Sequence, residues 1–218
     1  MKTQFIAHLR KKDRKPQYLW EHLEEVSAIA GEFAGKIGLK EAGRLIGLLH
    51  DLGKASDAFD KYIKSATGLT DPDTDDYVDA AAQKGKVDHS SAGAQMIFRE
   101  FSSKGAEGVL TAQFLSLCVA SHHSGLIDCL TPDGLDNYRR RMEKSKEKTH
   151  TDEALSYLED AEQQKVNELF SDQSLMKQLV GKLNSLKEGY DSKETLTFKY
   201  GLLLRFLFSC LIDADRLN

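Results

Sequence analysis

The sequence predicts an all-α protein, a helical bundle with a metal site at its centre. Prolines occur only at Pro16, Pro72 and Pro132, and Leu, Ala, Glu, Lys and Gln dominate long stretches where β-branched runs bounded by turn residues are rare. Apolar residues recur at helical rather than alternating spacing. Several histidines and an aspartate fall on the apolar faces or at the ends of those helices. A chain of 218 residues, 40% hydrophobic and 29% charged, can bury one good core, so residues 1–218 are expected to form a single domain.

A first helix is expected over residues 18–37, where Leu19, Leu23, Val26, Ile29 and Phe33 make a stripe and Glu21, Glu24, Glu25 and Glu32 take other faces. His22 shares the stripe of Val26, Ile29 and Phe33 and should point inward. A second helix over 39–52 carries Leu45, Ile46, Leu48 and Leu49, stops near Gly53, and puts His50 and Asp51 in its last turn.

Residues 65–88 hold Gly68, Pro72, Gly85 and the acidic run Asp71, Asp73, Asp75, Asp76 and Asp79, which predicts a solvated loop insertion. Its spaced aspartates imitate a calcium loop, but Asp76 stands where that loop needs glycine and Ala82 where it needs glutamate, which excludes calcium there. The next helix, capped by Asp88 or Ser90, runs through Met96, Ile97 and Phe101 with His89 at its start. A fourth, over 109–121, is apolar nearly all round and belongs at the bundle centre; it delivers His122 and His123 ahead of Gly125.

Residues 135–190 are highly charged, with a weak stripe through Leu155, Leu158, Val166 and Leu169, and are expected to form surface helices. Residues 198–217 return to a dense apolar pattern and finish in Asp213-Ala214-Asp215-Arg216-Leu217.

Composition excludes several function classes. A formal charge of −4 argues against holding nucleic acid by bulk electrostatics, so any such contact must be local. Cys118, Cys129 and Cys210 are too few and too scattered for a disulfide framework and are expected to be buried, reduced thiols. Neither an apolar signal core nor a run approaching about 20 apolar residues is evident. A cytoplasmic protein with no membrane partner is expected. No phosphate-binding glycine loop of the ATPase type occurs, so ATP-driven activity does not reside in this chain.

Of the seven histidines, His8 and His150 sit among charged residues, while His22, His50, His89, His122 and His123 fall on apolar faces or at their ends. One such histidine is usually a hydrogen-bonded core residue. Five of them with Asp51 would cost a few kcal/mol each if buried without partners, so a shared ion is the economical explanation. Adjacent residues at a helix end can diverge, letting His50 take one ion while Asp51 bridges to a second. A set of imidazoles and carboxylates without thiolate suits Mn, Fe, Co, Ni or Zn better than Mg or Ca. Lys54, four residues after His50, would share its face if the helix persists, and its ammonium could meet a phosphate oxygen; a solvated lysine is the plain alternative.

The motifs Glu21-His22-Leu23, Leu48-Leu49-His50-Asp51-Leu52-Gly53-Lys54, Asp88-His89-Ser90-Ser91-Ala92-Gly93, Ala120-Ser121-His122-His123-Ser124-Gly125-Leu126 and Asp213-Ala214-Asp215-Arg216-Leu217 together resemble the HD nuclease domain of the CRISPR-associated helicase-nuclease of type I systems. The resemblance implies an HD-domain helical bundle holding two divalent transition metal ions. One would be held by His22, His50, Asp51 and a C-terminal aspartate, the other by Asp51, His89, His122 and His123. In HD proteins the last ligand resembles the aspartate of an Ala-Asp-x-Leu pattern, here Asp215. Asp213 is the less favoured alternative, since both cannot face one site from a regular helix.

The resemblance further implies metal-dependent endonuclease cleavage of single-stranded DNA, the strand displaced by an RNA-guided surveillance complex and fed in by a helicase domain or subunit. The helicase is not in this sequence, so either a separate nuclease subunit or an N-terminal piece of a longer polypeptide is expected, the latter favoured. Asp51 would serve catalysis through the ions, with Lys54 stabilising the charged transition state. Single-strand selectivity would need basic and aromatic residues, for which Lys11, Lys12, Arg14, Lys15, Tyr18 and Trp20 form one candidate rim and residues 139–148 another. Two rivals keep the same ligands: a phosphohydrolase of nucleotides or small phosphoesters, and a module that docks the effector complex without cutting.

Overall fold

The computed structural model describes residues 4–10, 12–189 and 192–218, so Lys11 of the candidate rim lies outside the described residues. The fold is helical apart from one small hairpin, in which β1 (Ile6–Leu9) runs antiparallel to β2 (Pro16–Tyr18) with His8 opposite Gln17. No strand is expected from the sequence here, because four and three residues are too few for alternation to show. Pro16 is tolerated as the first residue of its strand.

Helix α1 (Leu19–Gly35) buries His22, Leu23, Val26 and Ala30, and α2 (Lys40–Leu49) lies against it. Glycines let the two approach closely: a Cβ on Gly43 would stand 2.4 Å from the Ala30 carbonyl oxygen, and one on Gly47 2.7 Å from Ser27 Cα. The second helix stops at Leu49, earlier than expected. His50 caps it, and the chain continues into a 3-10 turn over Leu52–Lys54. Gly53 passes so close to the His89 backbone that a Cβ would lie 2.5 Å from the His89 carbonyl oxygen. That contact fixes the turn against the next motif.

Helix α3 (Asp57–Thr67) starts at Ser56, whose hydroxyl accepts from the Phe59 amide at 3.3 Å, and ends at Gly68 with φ 74°. The acidic stretch beyond it is mostly exposed and contains only the short α4 (Ala80–Gln83). Helix α5 (Ser91–Ser102) is capped by Asp88, which accepts from the Ser91 amide, while Ser90 makes no side-chain cap. Gly93 seats α5 on the end of α2, where a Cβ would meet the Leu49 carbonyl oxygen at 1.9 Å. Helix α6 (Gly105–Ser121) carries the fully buried Leu115, Cys118 and Val119, as its apolar surface predicts.

Five helices follow: α7 (Asn137–Met142), α8 (Lys146–Thr149), α9 (Thr151–Tyr157), α10 (Asp160–Ser171) and α11 (Gln173–Ser185). They are more than a surface layer, because Leu158, Val166, Leu169, Leu175, Leu179 and Leu183 join the core. The sequence shows the stripe as far as Leu169, and abundant surface charge masks its continuation through Leu175, Leu179 and Leu183. Among the cysteines only Cys118 is buried; Cys129 is exposed and Cys210 intermediate, and all are free thiols. Cys129 sits in the loop after α6, where no second layer covers it.

Helix α12 (Lys193–Leu217) corrects another expectation. Its 25 residues have the length and apolar composition of a membrane span, with mean hydropathy 1.4 over the best window. Its Leu203, Leu207, Leu211 and Ala214 are buried in the bundle, while only 17% of that apolar window is covered. Phe198, Leu202 and Phe206 lie on its exposed side.

Candidate metal centre

Five segments far apart in sequence meet at the bundle centre. His22 comes from α1, His50 and Asp51 from the end of α2, His122 and His123 from the end of α6, and Asp215 from the last turn of α12. His89 enters from the turn before α5. His22, His50 and Asp51 are buried to 1% exposure or less, as only mutual satisfaction permits.

Asp51 divides its two oxygens. On one side Oδ2 lies 3.4 Å from His50 Nε2 and 3.6 Å from His22 Nε2, while Asp215 Oδ1 stands 3.5 Å from His22 Nε2 and 3.6 Å from His50 Nε2. On the other side Oδ1 lies 3.2 Å from His122 Nε2, 3.5 Å from His123 Nε2 and 3.8 Å from His89 Nε2. The result is two groups that share Asp51, namely His22, His50, Asp51 and Asp215, and Asp51, His89, His122 and His123; within each, one ligand atom per residue lies within 4.8 Å of the others.

The imidazoles are aimed. His50 Nδ1 donates to the Gly47 carbonyl at 2.8 Å, His122 Nδ1 to that of Val119 at 2.7 Å, and His89 Nδ1 to that of Val87 at 3.1 Å. His22 Nδ1 donates instead to the Asn218 side-chain oxygen at 2.6 Å. Each bond fixes a ring so that Nε2 faces the centre, as in histidines that ligate metal. Imidazole nitrogens and carboxylates converging on two points fit divalent transition ions.

Protonation follows from the same contacts. Burial disfavours charge on His50, but the Asp51 and Asp215 carboxylates outweigh it and raise the imidazole to about 9. Its Nε2, 3.2 Å from His22 Nε2, then donates to that nitrogen. Burial also opposes charge on the two carboxylates; Lys54 and His50 nevertheless hold Asp51 well below the usual range, and His50 holds Asp215 at about 2. Burial brings His89 down to about 4 and lowers His122 as well.

Lys54 reaches the centre by a different route from the one expected. The helix does not persist, but the 3-10 turn swings the ammonium 2.6 Å from Asp51 Oδ2, where it also donates to the Ala7 carbonyl at 3.2 Å. Asp213 is exposed on the far side of α12. His123 reaches the centre although its side chain is 47% exposed, so it and the partly exposed His89 mark the open side.

Among the described residues, neither charged segment supplies a member of the two ligand groups. Arg141 donates to Ser90 and Ser91 and Lys144 pairs with Asp88 at 2.5 Å, so these two brace the segment around His89, while Arg139 pairs locally with the exposed Glu143. Tyr18 and Trp20 line a cavity of about 750 Å³ with Phe5, Leu23 and Tyr157, apart from the histidines. Sequence reasoning missed His8. Its ring packs edge-on to that of His22 at 5.3 Å between centroids, and burial lowers its pKa. Only the pairing of β1 with β2, invisible in the sequence, brings it there.

Comparison with known families decides what this arrangement belongs to. A family model described as "Cas3, HD domain" matches residues 8–186. The chain belongs to the Cas3 HD domain family. The helical bundle agrees with that membership, and the Cas3 HD family is one of metal-dependent nucleases of CRISPR systems. The matched region stops before α12, so it is the fold that adds Asp215 to the Cas3 HD motifs. A search of curated proteins found no match.

Proposed function

We propose that this Cas3 HD domain, residues 1–218, is an endonuclease for single-stranded DNA in CRISPR interference. It would hold two divalent transition ions (Mn, Fe, Co, Ni or Zn), one through His22, His50, Asp51 and Asp215 and the other through Asp51, His89, His122 and His123. The division of Asp51 between two imidazole groups carries this reading, because a carboxylate with one oxygen on each side is what a shared bridging ligand requires. Bound there, such ions supply Lewis acidity and an activated water for in-line attack on phosphorus.

The chain's own residues do the rest. Backbone carbonyls hold the imidazoles in place, and Lys54 adds positive charge beside Asp51 for a phosphate in the transition state. The exposure of His123 and the partial exposure of His89 leave one side of the centre open, as access by a polymer would require. That observation favours DNA over nucleotides. The exposed Lys12, Arg14 and Lys15, on the hairpin that also carries His8, offer local phosphate contacts to a protein with no bulk positive charge. The partners are a helicase domain or subunit that feeds the strand and the RNA-guided complex that displaces it, in the cytoplasm.

The test is cleavage of circular single-stranded DNA by metal-free protein, by protein supplied with Mn, Co or Ni, and by a His50→Ala, Asp51→Ala double variant. Metal-dependent cutting that the double variant loses is the expected result. Hydrolysis of nucleotides alone would move the assignment to a small-phosphoester enzyme, and no hydrolysis by the metal-replete protein would leave a docking module.

A further inference from the structure

We infer that Asn218 is a positioning residue for His22, held in its working orientation by Glu25. The inference rests on the metal centre proposed above, and its first readout does not require metal.

Three of the imidazoles in the two groups direct Nδ1 to backbone carbonyls, which are acceptors in every circumstance. The partner of His22 is a side-chain amide, which could present either its oxygen or its nitrogen. Only the oxygen accepts from Nδ1–H and so leaves Nε2 with its lone pair toward His50, Asp51 and Asp215. The wrong amide orientation would put the proton on Nε2, where it blocks a ligand bond.

Glu25 removes that ambiguity. Its ionised carboxylate accepts only, and it lies one helical turn after His22 on α1. The Asn218 amide nitrogen donates to Glu25 Oε2, which turns Asn218 Oδ1 to His22. Gln17 on β2 locks the arrangement by donating to both Glu25 Oε2 at 2.8 Å and Asn218 Oδ1 at 2.9 Å. An exposed carboxylate thus sets the tautomer of a buried imidazole through one amide, and the hairpin, α1 and α12 must all be docked for it to do so.

The experiment compares wild type with Asn218→Leu, Asn218→Asp combined with Glu25→Gln, and Glu25→Ala. Nitrogen-15 shifts of the imidazoles in metal-free protein report the tautomer, and calorimetric titration with Mn reports affinity. Wild-type His22 is expected to carry its proton on Nδ1. Asn218→Leu should move that proton toward Nε2 and weaken Mn binding about 10–100-fold. Asn218→Asp keeps an acceptor for Nδ1 but faces Glu25 with a second carboxylate, so it should restore both when combined with Glu25→Gln, which supplies the missing donor. Glu25→Ala should shift the same signal by less, and it replaces Asn218→Leu should that variant fail to fold. Unchanged His122 signals, held by Val119, report an intact bundle. An unaltered His22 signature in Asn218→Leu overturns the inference. Absence of Mn binding in wild type would instead overturn the metal centre, while the tautomer comparison would still stand.

Discussion

Lys54 Nζ lies 2.6 Å from Asp51 Oδ2, so the carboxylate shared by both ligand groups already has a cation beside it. Asp51 is 1% exposed and Lys54 8%, and removing one partner of such a pair strands the other in a low-dielectric interior. With charged His50 still 3.4 Å from Asp51, Lys54→Met is expected to destabilise the metal-free protein by about 1–3 kcal/mol. Added Mn should recover most of that loss, since the ion restores positive charge at Asp51. Urea unfolding with chelator and with Mn checks this; equal losses in both would mean the pair and the ion do not share a site.

The raised pKa of His50 sets a pH window. Its folded value of about 9 exceeds the ordinary 6.5, so its charged contacts stabilise the metal-free protein fully below about 6.5 and are lost as pH climbs through 9. A divalent ion must displace the same proton, so Mn affinity should rise across that window. Unfolding and titration at pH 6.5, 7.5 and 9 test both limbs. Stability that rises with pH in metal-free protein would contradict the charge assignment.

The two C-terminal aspartates are separable. Asp215 Oδ1 stands within 3.6 Å of two imidazoles, while Asp213 faces solvent. Asp215→Asn is expected to weaken Mn binding about 10–100-fold and to lower DNA cleavage with it, while Asp213→Asn changes neither. Calorimetry on both variants distinguishes them, and a larger effect from Asp213 would reverse the choice.

Backbone contact between α2 and α5 holds the His50–Asp51 corner. A methyl group on Gly93 would collide with the Leu49 carbonyl oxygen at 1.9 Å, and backbone cannot rotate aside as a side chain can. Gly93→Ala should cost about 1–3 kcal/mol or more and displace His50. Gly181→Ala, with nothing within 4 Å of the added carbon, serves as the control. Comparable melting temperatures for the two variants would refute the packing account.

The helical class and the inward histidines were legible because each rests on local pattern. Val26 marks the face of His22, although that face continues through Ala30 and Ala34 rather than Ile29 and Phe33, and the apolar surface of α6 marks the bundle centre. Features governed by long-range pairing were not legible. His8 depends on strand register, and the end of α2 depends on Gly53 meeting the His89 backbone 36 residues later. Charge density over residues 135–190 concealed Leu175, Leu179 and Leu183, because an amphipathic helix reads as polar when its buried stripe is narrow. Asn218 and Gln17 carry no motif, and only their hydrogen bonds to His22 and Glu25 give them a role.

Asp215 joins its group from the last turn of α12, while the other members come from α1 and the end of α2. A chain emerging from the ribosome therefore has the first three members long before the fourth. Until α12 is synthesised and docked, the group of His22, His50 and Asp51 lacks its second carboxylate, so on the proposed metal assignment the nascent protein is expected to stay inactive as a nuclease near the site of its own translation.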